Sequence, residues 1–108
     1  MLFGKISPQA VIPQMISPFE QGELVVEYIT AIAAPYILGA NSVDFQVMYV
    51  NPVYNEENVV NSYNVYHQVQ VRLSGAAIED WGTDDTSVLA AIATEQGATI
   101  TQFENWLV

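Results

Sequence analysis

The stretch Val65-Tyr-His-Gln-Val-Gln-Val-Arg-Leu73 alternates between two kinds of side chain along its whole length. One set comprises Val65, His67, Val69, Val71 and Leu73, and the other comprises Tyr66, Gln68, Gln70 and Arg72. Because successive side chains of a β-strand point to opposite faces, this pattern predicts a strand with one apolar face and one polar face. A half-buried strand of this kind is typical of an antiparallel sheet.

Two apolar segments on the N-terminal side of this stretch also predict strands. Glu23 to Ile32 is rich in β-branched residues, and Val43 to Val50 alternates between two faces. Asn51-Pro52 is expected to end the second of these strands, and residues 55–61 are expected to form a polar loop.

The chain after Leu73 changes from strand spacing to helix spacing. A short helical turn is expected from Gly75 to Trp81, and a second helix is expected to start at Asp84 or Asp85, capped by Thr83 or Asp84. Val88, Leu89 and Ile92 make its predicted buried stripe.

Gly97 is well placed to follow the end of that helix, and Thr99 to Phe103 is expected to add an edge strand. The predicted fold is therefore α+β and mostly β, with three to four antiparallel strands, a short C-terminal helical layer and an extended N-terminal arm.

Residues 1–22 are the predicted arm, and residues 23–108 are the predicted single domain. Pro8, Pro13 and Pro18 recur along this segment, and each lacks the N–H that a sheet ladder needs, so neither a long helix nor a central strand is expected. The residues between them are too apolar for a free tail. The arm therefore docks on its own domain or on a neighbouring subunit.

The composition is acidic but poor in charge. The net charge is −10, with two basic residues, Lys5 and Arg72, and charged residues are 13% of the chain, against about 25% in ordinary soluble proteins. Hydrophobic residues reach 51%. This balance favours a surface that is partly covered by neighbours. An ordinary domain with a Ser, Thr, Asn and Gln surface is the alternative interpretation.

Several classes of partner and site are disfavoured by the same composition. Phosphate backbones and anionic membranes attract clustered Lys and Arg, which this chain lacks, so neither nucleic acid nor a membrane is expected as a direct partner. The most apolar stretch, Tyr28 to Ala40, is too short to span a bilayer and contains Pro35. Without Cys there is no disulfide, thiolate metal site or thiol nucleophile.

Catalytic chemistry is not expected, and neither a cofactor nor a metal is predicted. The single His67 lies on the apolar face of the clearest strand, which favours a core or interface histidine over a catalytic one. Glu79, Asp80, Asp84 and Asp85 lie around Gly82, but their spacing lacks the calcium-loop pattern, so helix capping is the preferred interpretation.

The passage Leu73-Ser-Gly-Ala-Ala-Ile-Glu-Asp-Trp-Gly-Thr-Asp-Asp85 resembles segments of small virion proteins of tailed bacteriophages. In those proteins a strand feeds a short helix and a turn before a second helix. The resemblance covers about the last third of the chain. It implies a subunit of a multicopy particle, assembled in the host cytoplasm, with other virion proteins or copies of itself as partners.

The preferred hypothesis is a non-enzymatic structural subunit, capsid-associated or in the neck or tail of a virion. The alternative is a small acidic inhibitor that mimics nucleic acid and occupies a basic groove. A third hypothesis is an enzyme that uses His67 or the acidic residues between Glu79 and Asp85. Tyrosines and long apolar side chains are enriched at interfaces. The predicted interface residues are Ile6, Val11, Ile12, Met15, Ile16, Phe19, Tyr49, Tyr54, Tyr63, Tyr66, Trp106 and Leu107.

Overall fold

A computed structural model describes residues 1–17, 20–35, 41–75, 78 and 85–106 of the chain, with the backbone alone described for 12–17 and 20–24. The fold is mostly β, as predicted, but the described residues form five strands rather than three or four. The elements are β1 (Leu2–Ser17), β2 (Glu20–Ala33), β3 (Ser42–Tyr54), β4 (Val60–Ser74), α1 (Thr86–Glu95) and β5 (Thr99–Asn105).

The five strands make one antiparallel sheet in the order β4-β3-β2-β1-β5. The first four strands follow one another as neighbours, and α1 then carries the chain back so that β5 lies beside β1. The outer strands of the described sheet are therefore β4 and β5. The expected edge strand at Thr99 to Phe103 is confirmed as β5.

The N-terminal segment is a strand inside this sheet. Leu2 to Ser7 pair with β5 on one side, while β1 pairs with β2 on the other side as far as Ser17. The expectation that prolines exclude this segment from a central strand is therefore wrong. The boundary expected between residues 22 and 23 falls within β2.

The prolines are compatible with β1 because of where they lie along it. Pro8 follows Ser7, the last residue that pairs with β5, and Pro13 lies further along, where β2 is the partner strand described. A proline is tolerated where one side of the strand needs no ladder bond. The same reason explains why Asn51-Pro52 does not end β3, as had been expected. Pro52 pairs with Tyr63 of β4, beyond the last β2–β3 pair.

The second predicted helix is confirmed as α1, whose buried residues are Val88, Leu89, Ile92 and Ala93. Gly97 has a φ of 77°, and the Ala98 N–H donates to the Ala93 carbonyl at 2.9 Å, which closes the helix in the expected way. Asp85 occupies the N-cap position. The suggested caps Thr83 and Asp84, and most of the expected turn from Gly75 to Trp81, lie outside the described residues, although Ile78 is helical.

Buried side chains lie on both faces of the sheet. The helix-side core joins α1 to the strands through residues such as Ile29, Phe45 and Ile92. The aromatic core, on the opposite face, comprises Phe3, Tyr28, Met48, Val50 and Trp106. Trp106 stacks on Phe3 with 3.9 Å between ring centroids and meets Tyr28 edge-on at 4.9 Å. Trp106 thus packs the residue that follows β5 against β1 and β2.

Candidate functional site

The described residues bring no catalytic or metal-binding group together. His67 is exposed, and its ring centroid lies 5.6 Å from that of Tyr49. No cluster of three or more metal-ligating side chains occurs in the part of the chain that the structure describes. Of the four acids near Gly82, Asp85 is described, and Glu79, Asp80 and Asp84 lie outside the described residues.

Two tyrosines have pKa values that are raised by burial. Burial raises the pKa of Tyr28 far above its usual value, and its hydroxyl donates to Glu104 Oε2 at 2.6 Å. Burial also raises the pKa of Tyr49, whose hydroxyl donates to Gln96 Oε1 at 2.9 Å. Each phenol is therefore held neutral and hydrogen-bonded at the rim of a core.

Three predicted interface residues are buried within the chain itself. Ile6 and Tyr49 belong to the helix-side core, and Trp106 belongs to the aromatic core with 5% of its surface exposed. Tyr63 is half-buried, with its ring centroid 5.1 Å from that of Phe3. The folded chain cannot offer Ile6, Tyr49 or Trp106 to a partner, because their apolar surface already packs against its own strands.

Three others are exposed, namely Val11, Tyr54 and Tyr66. The remaining predicted interface residues have no described side chain; they are Ile12, Met15, Ile16, Phe19 and Leu107. Large apolar side chains outside the predicted interface set are also exposed among the described residues, and these are Met1, Val25, Ile32, Val59, Val65 and Phe103. Strand alternation alone could not have identified them, because exposure depends on which strands are neighbours.

Val65 illustrates this dependence. Tyr49 pairs with His67 and Val50 pairs with Val65, so Tyr66 is an extra residue, a β-bulge, in β4. The bulge moves Val65 to the face of the sheet opposite to His67, because side chains alternate and one added residue reverses the alternation. The single apolar face expected from Val65 to Leu73 is interrupted there.

One exposed apolar feature lies on the β1–β2 ribbon, which we define as residues 10–17 and 20–26. β1 pairs with β5 as far as Ser7, and β2 pairs with β3 from Tyr28 onward. Among the described residues, the ribbon therefore has no strand beside it on either side. It continues the hairpin beyond the five-stranded part of the sheet.

A cross-strand valine pair marks one face of this ribbon. Val11 and Val25 are direct partners, 52% and 43% exposed respectively. The adjacent pair, Ala10 and Val26, instead packs against the helix-side core, and Val26 is fully buried. The ribbon is therefore anchored by one pair and presents the next pair to its surroundings.

The side chain of Asn51 ends the ladder between β2 and β3 at the base of the ribbon. Its Oδ1 accepts from the Glu27 N–H at 3.0 Å, and its Nδ2 donates to the Val25 carbonyl at 2.9 Å. The amide thus replaces the backbone of a neighbouring strand at the last two positions. β3 can therefore separate from β2 here without leaving the Glu27 N–H and the Val25 carbonyl unpaired.

A second exposed apolar feature lies at the turn between β3 and β4. Tyr54 and Val59 are 53% and 55% exposed. Asn55 Oδ1 accepts from the N–H groups of Glu57 and Val59, at 2.9 and 3.0 Å, and Asn58 has a φ of 63°. These hydrogen bonds fix the backbone of the turn that carries the two apolar side chains.

A shallow groove of about 580 Å³ lies among β2, β3 and β4. Its lining includes Ile32 and Pro35 together with Gln46, Gln68 and Gln70. Gln46 Nε2 donates to Gln68 Oε1 across the groove floor. Most of the described lining is apolar, and its one charged side chain, Asp44, is paired with Arg72.

Comparisons of the chain with known protein families, with curated proteins and with solved structures give no match. Within the described residues, no helix is long and apolar enough to cross a membrane. The interpretation of the exposed surfaces therefore depends on their own geometry and chemistry.

Proposed function

We propose that the chain is a non-enzymatic structural subunit of a multicopy assembly and that the β1–β2 ribbon docks on another component of it. The observation that carries this proposal is the Val11–Val25 pair, exposed on a two-stranded ribbon that projects past β3 and β5. A two-stranded ribbon alone is marginally stable in water. Covering its exposed face would stabilise it and remove apolar surface from water.

The ribbon sequence supports an apolar partner surface. It contains Ile12, Met15, Ile16 and Leu24, and its charged residues are Glu20 and Glu23. Fully burying a valine contributes about 1.5–3 kcal/mol, so covering two half-exposed valines contributes about 2 kcal/mol before association costs. Such a patch suits one contact among several, as in a particle where many subunits hold each other in place.

We propose a bacteriophage virion as the assembly, with the chain as a capsid-associated, neck or tail accessory subunit assembled in the host cytoplasm. The support is the resemblance of residues 73–85 to small virion proteins, joined to a charge content of 13% and a hydrophobic content of 51%. Other virion proteins and copies of the chain itself are the proposed partners.

The acidic-inhibitor hypothesis draws its support from the net charge of −10. Several acids, however, are engaged within the chain: Asp44 pairs with Arg72 at 2.6 Å, Glu27 accepts from Gln9, and Glu104 accepts from Tyr28. A nucleic-acid mimic needs a row of free carboxylates, so the apolar ribbon is the better supported docking surface.

The test uses point substitutions, because removing the N-terminal residues would remove a central strand. A V11S/V25S variant of the full chain is compared with the unchanged chain for recovery in gradient-purified particles from the source culture. V59S serves as the control, because Val59 is equally exposed but lies at the β3–β4 turn. Far-UV circular dichroism confirms that each variant folds.

The proposal expects the unchanged chain and V59S in the particle fraction, with V11S/V25S reduced at least several-fold. Equal recovery of V11S/V25S would overturn ribbon docking. Salt separates the two functional hypotheses: an apolar contact persists in 1 M NaCl, where the Debye length is about 3 Å, whereas a mimic on a basic groove is released. Release by salt would therefore favour the inhibitor.

A further inference from the structure

β4 is a long outer strand with one free side. Among the described residues it pairs with β3 alone, so its outward-facing backbone N–H and C=O groups have no ladder partner in this sheet. Residues 64–68 are exposed on both faces of the sheet. An edge of this kind is a template on which another strand can add.

The usual protections of an edge strand are sparse along β4. Natural edges are shortened, charged, bulged or interrupted by proline. β4 has 15 residues, no proline and one charged residue, Arg72, whose guanidinium is paired with Asp44. Its bulge at Tyr66 protects the N-terminal part, but the pairing from His67 to Ser74 is regular. The other outer strand, β5, has 7 residues.

The distribution of charge favours a second copy of the chain as the added strand. Two copies repel overall, because each has a net charge of −10. Yet residues 60–74 contain no Asp or Glu, and Asp44 on the neighbouring strand is neutralised by Arg72. The edge of β4 is thus a place where two acidic copies can approach with little local repulsion.

We propose that two copies of the chain pair antiparallel through their β4 edges about a two-fold axis, which makes one continuous ten-stranded sheet. The choice of a second copy, rather than a foreign strand, rests on the proposed role as a multicopy subunit. A two-fold axis makes the contact self-complementary and closed.

The alternation of side chains restricts the register of this pairing. Residues opposite each other in the pair must lie on the same face of the sheet. The two-fold axis must therefore pass beside one residue, which pairs with the same residue of the second copy. An axis at Gln70 pairs residues 67–73, all within the regular part of β4, and sets Val69 against Val71 of the second copy. An axis at Val71 pairs 68–74 but centres the contact on a side chain that its own core already covers, and an axis at Arg72 sets two guanidinium groups face to face. We therefore place the axis at Gln70.

Charge exchange at Gln70 tests both the dimer and its register. Gln70 is exposed, so Q70E and Q70K leave the fold of the monomer intact. Each variant alone places like charges directly opposite each other, which weakens the dimer by up to about fivefold. An equimolar mixture of Q70E and Q70K places opposite charges together and restores the dimer. The measurement is sedimentation velocity across a concentration series.

The matched controls are Q102E and Q102K, since Gln102 is exposed on the other outer strand, β5. These variants should dimerise as the unchanged chain does. A monomeric unchanged chain over the whole accessible concentration range would overturn the proposal. So would a mixture of Q70E and Q70K that dimerises no better than either variant alone, or Gln102 variants that weaken the dimer as strongly.

The outcome is separable from that of ribbon docking. V11S/V25S alters the β1–β2 ribbon, which does not pair with β4. The variant should therefore dimerise normally while failing to enter particles. Dimerisation without particle recovery of the unchanged chain would refute the proposed function and leave the β4 pairing standing. Recovery of the chain in particles, together with a strictly monomeric isolated chain, would refute the β4 pairing and leave the proposed function standing.

Discussion

Replacing Trp106 with alanine should destabilise the whole sheet, although this residue lies on the last described position of the chain. Its side chain is 5% exposed, stacks on Phe3 and contacts the edge of the Tyr28 ring. Its backbone N–H donates to the Met1 carbonyl at 3.0 Å. The residue thus joins the C-terminal end to β1 and β2.

The magnitude follows from the loss of buried surface. Replacing a buried Trp with Ala typically costs about 3–5 kcal/mol, and a chain end can relax into the space, so we expect about 3 kcal/mol for W106A. For a domain of this size each 1 kcal/mol corresponds to about 4–8 °C, so the melting temperature should fall by about 12–24 °C. W106F should lose less, because a smaller ring retains part of the stacking.

The measurement is urea denaturation followed by circular dichroism, with the free energy of unfolding compared between variants. F103A is the control, because Phe103 lies on β5 and 38% of its surface is exposed. It should cost about 1 kcal/mol or less. If the free energy of unfolding of W106A lies within 1 kcal/mol of that of the unchanged chain, the aromatic core does not join the C-terminal residues to β1 and β2, and the prediction is refuted.

Three further predictions concern named contacts. N51A removes the amide that bonds to the backbone of Val25 and Glu27, so the free energy of unfolding should fall by about 1–3 kcal/mol; an unchanged urea midpoint would contradict the role of Asn51 in ending the ladder. G97A places a Cβ on a residue with a φ of 77° and should cost about 1 kcal/mol, measured by thermal melting, and a gain in stability would contradict the helix-end geometry. The folded-state pKa of Tyr28 is raised, so its contribution is present below the ordinary tyrosine pKa and is lost as the pH rises above it. Stability should therefore decline from about pH 10 upward, more weakly in Y28F; identical slopes for Y28F and the unchanged chain would contradict this.

The sequence predicted most reliably what depends on local periodicity. The stretch from His67 to Leu73 is a strand with a polar exposed face, and Val88, Leu89 and Ile92 line the buried side of α1. Both features follow from the spacing of apolar residues within a single strand or helix that packs against one core. Gly97 was placed correctly for the same reason, since only a few residues around a helix end decide its geometry.

The position of β1 could not be predicted from its prolines alone. Whether a missing N–H matters depends on whether a partner strand lies on that side, and the β5 partner of Leu2 to Ser7 comes from the other end of the chain. The same non-local contact explains why Trp106 was expected at an interface but is buried. Its partners, Phe3 and Tyr28, are about 80–100 residues away in sequence, and no local pattern links them.

The exposed residues of the candidate site depend on strand pairing as well as on local pattern. Val11, Tyr54 and Tyr66, three of the predicted interface residues, are exposed, whereas Val25 was not among the predictions because its exposure follows from pairing with Val11. The ribbon itself is defined by where β3 and β5 stop beside β2 and β1. Such end points depend on side chains like that of Asn51, whose capping role is not encoded in any periodic pattern.

The copy number of the chain in purified particles tests the proposed function most directly. Particles from the source culture are isolated on a density gradient, and the chain is quantified against the main particle protein by mass spectrometry. A structural subunit gives a fixed ratio that persists through repeated gradients and in high salt. A ratio that falls towards zero with each purification, with the chain recovered in the soluble fraction, would contradict the account.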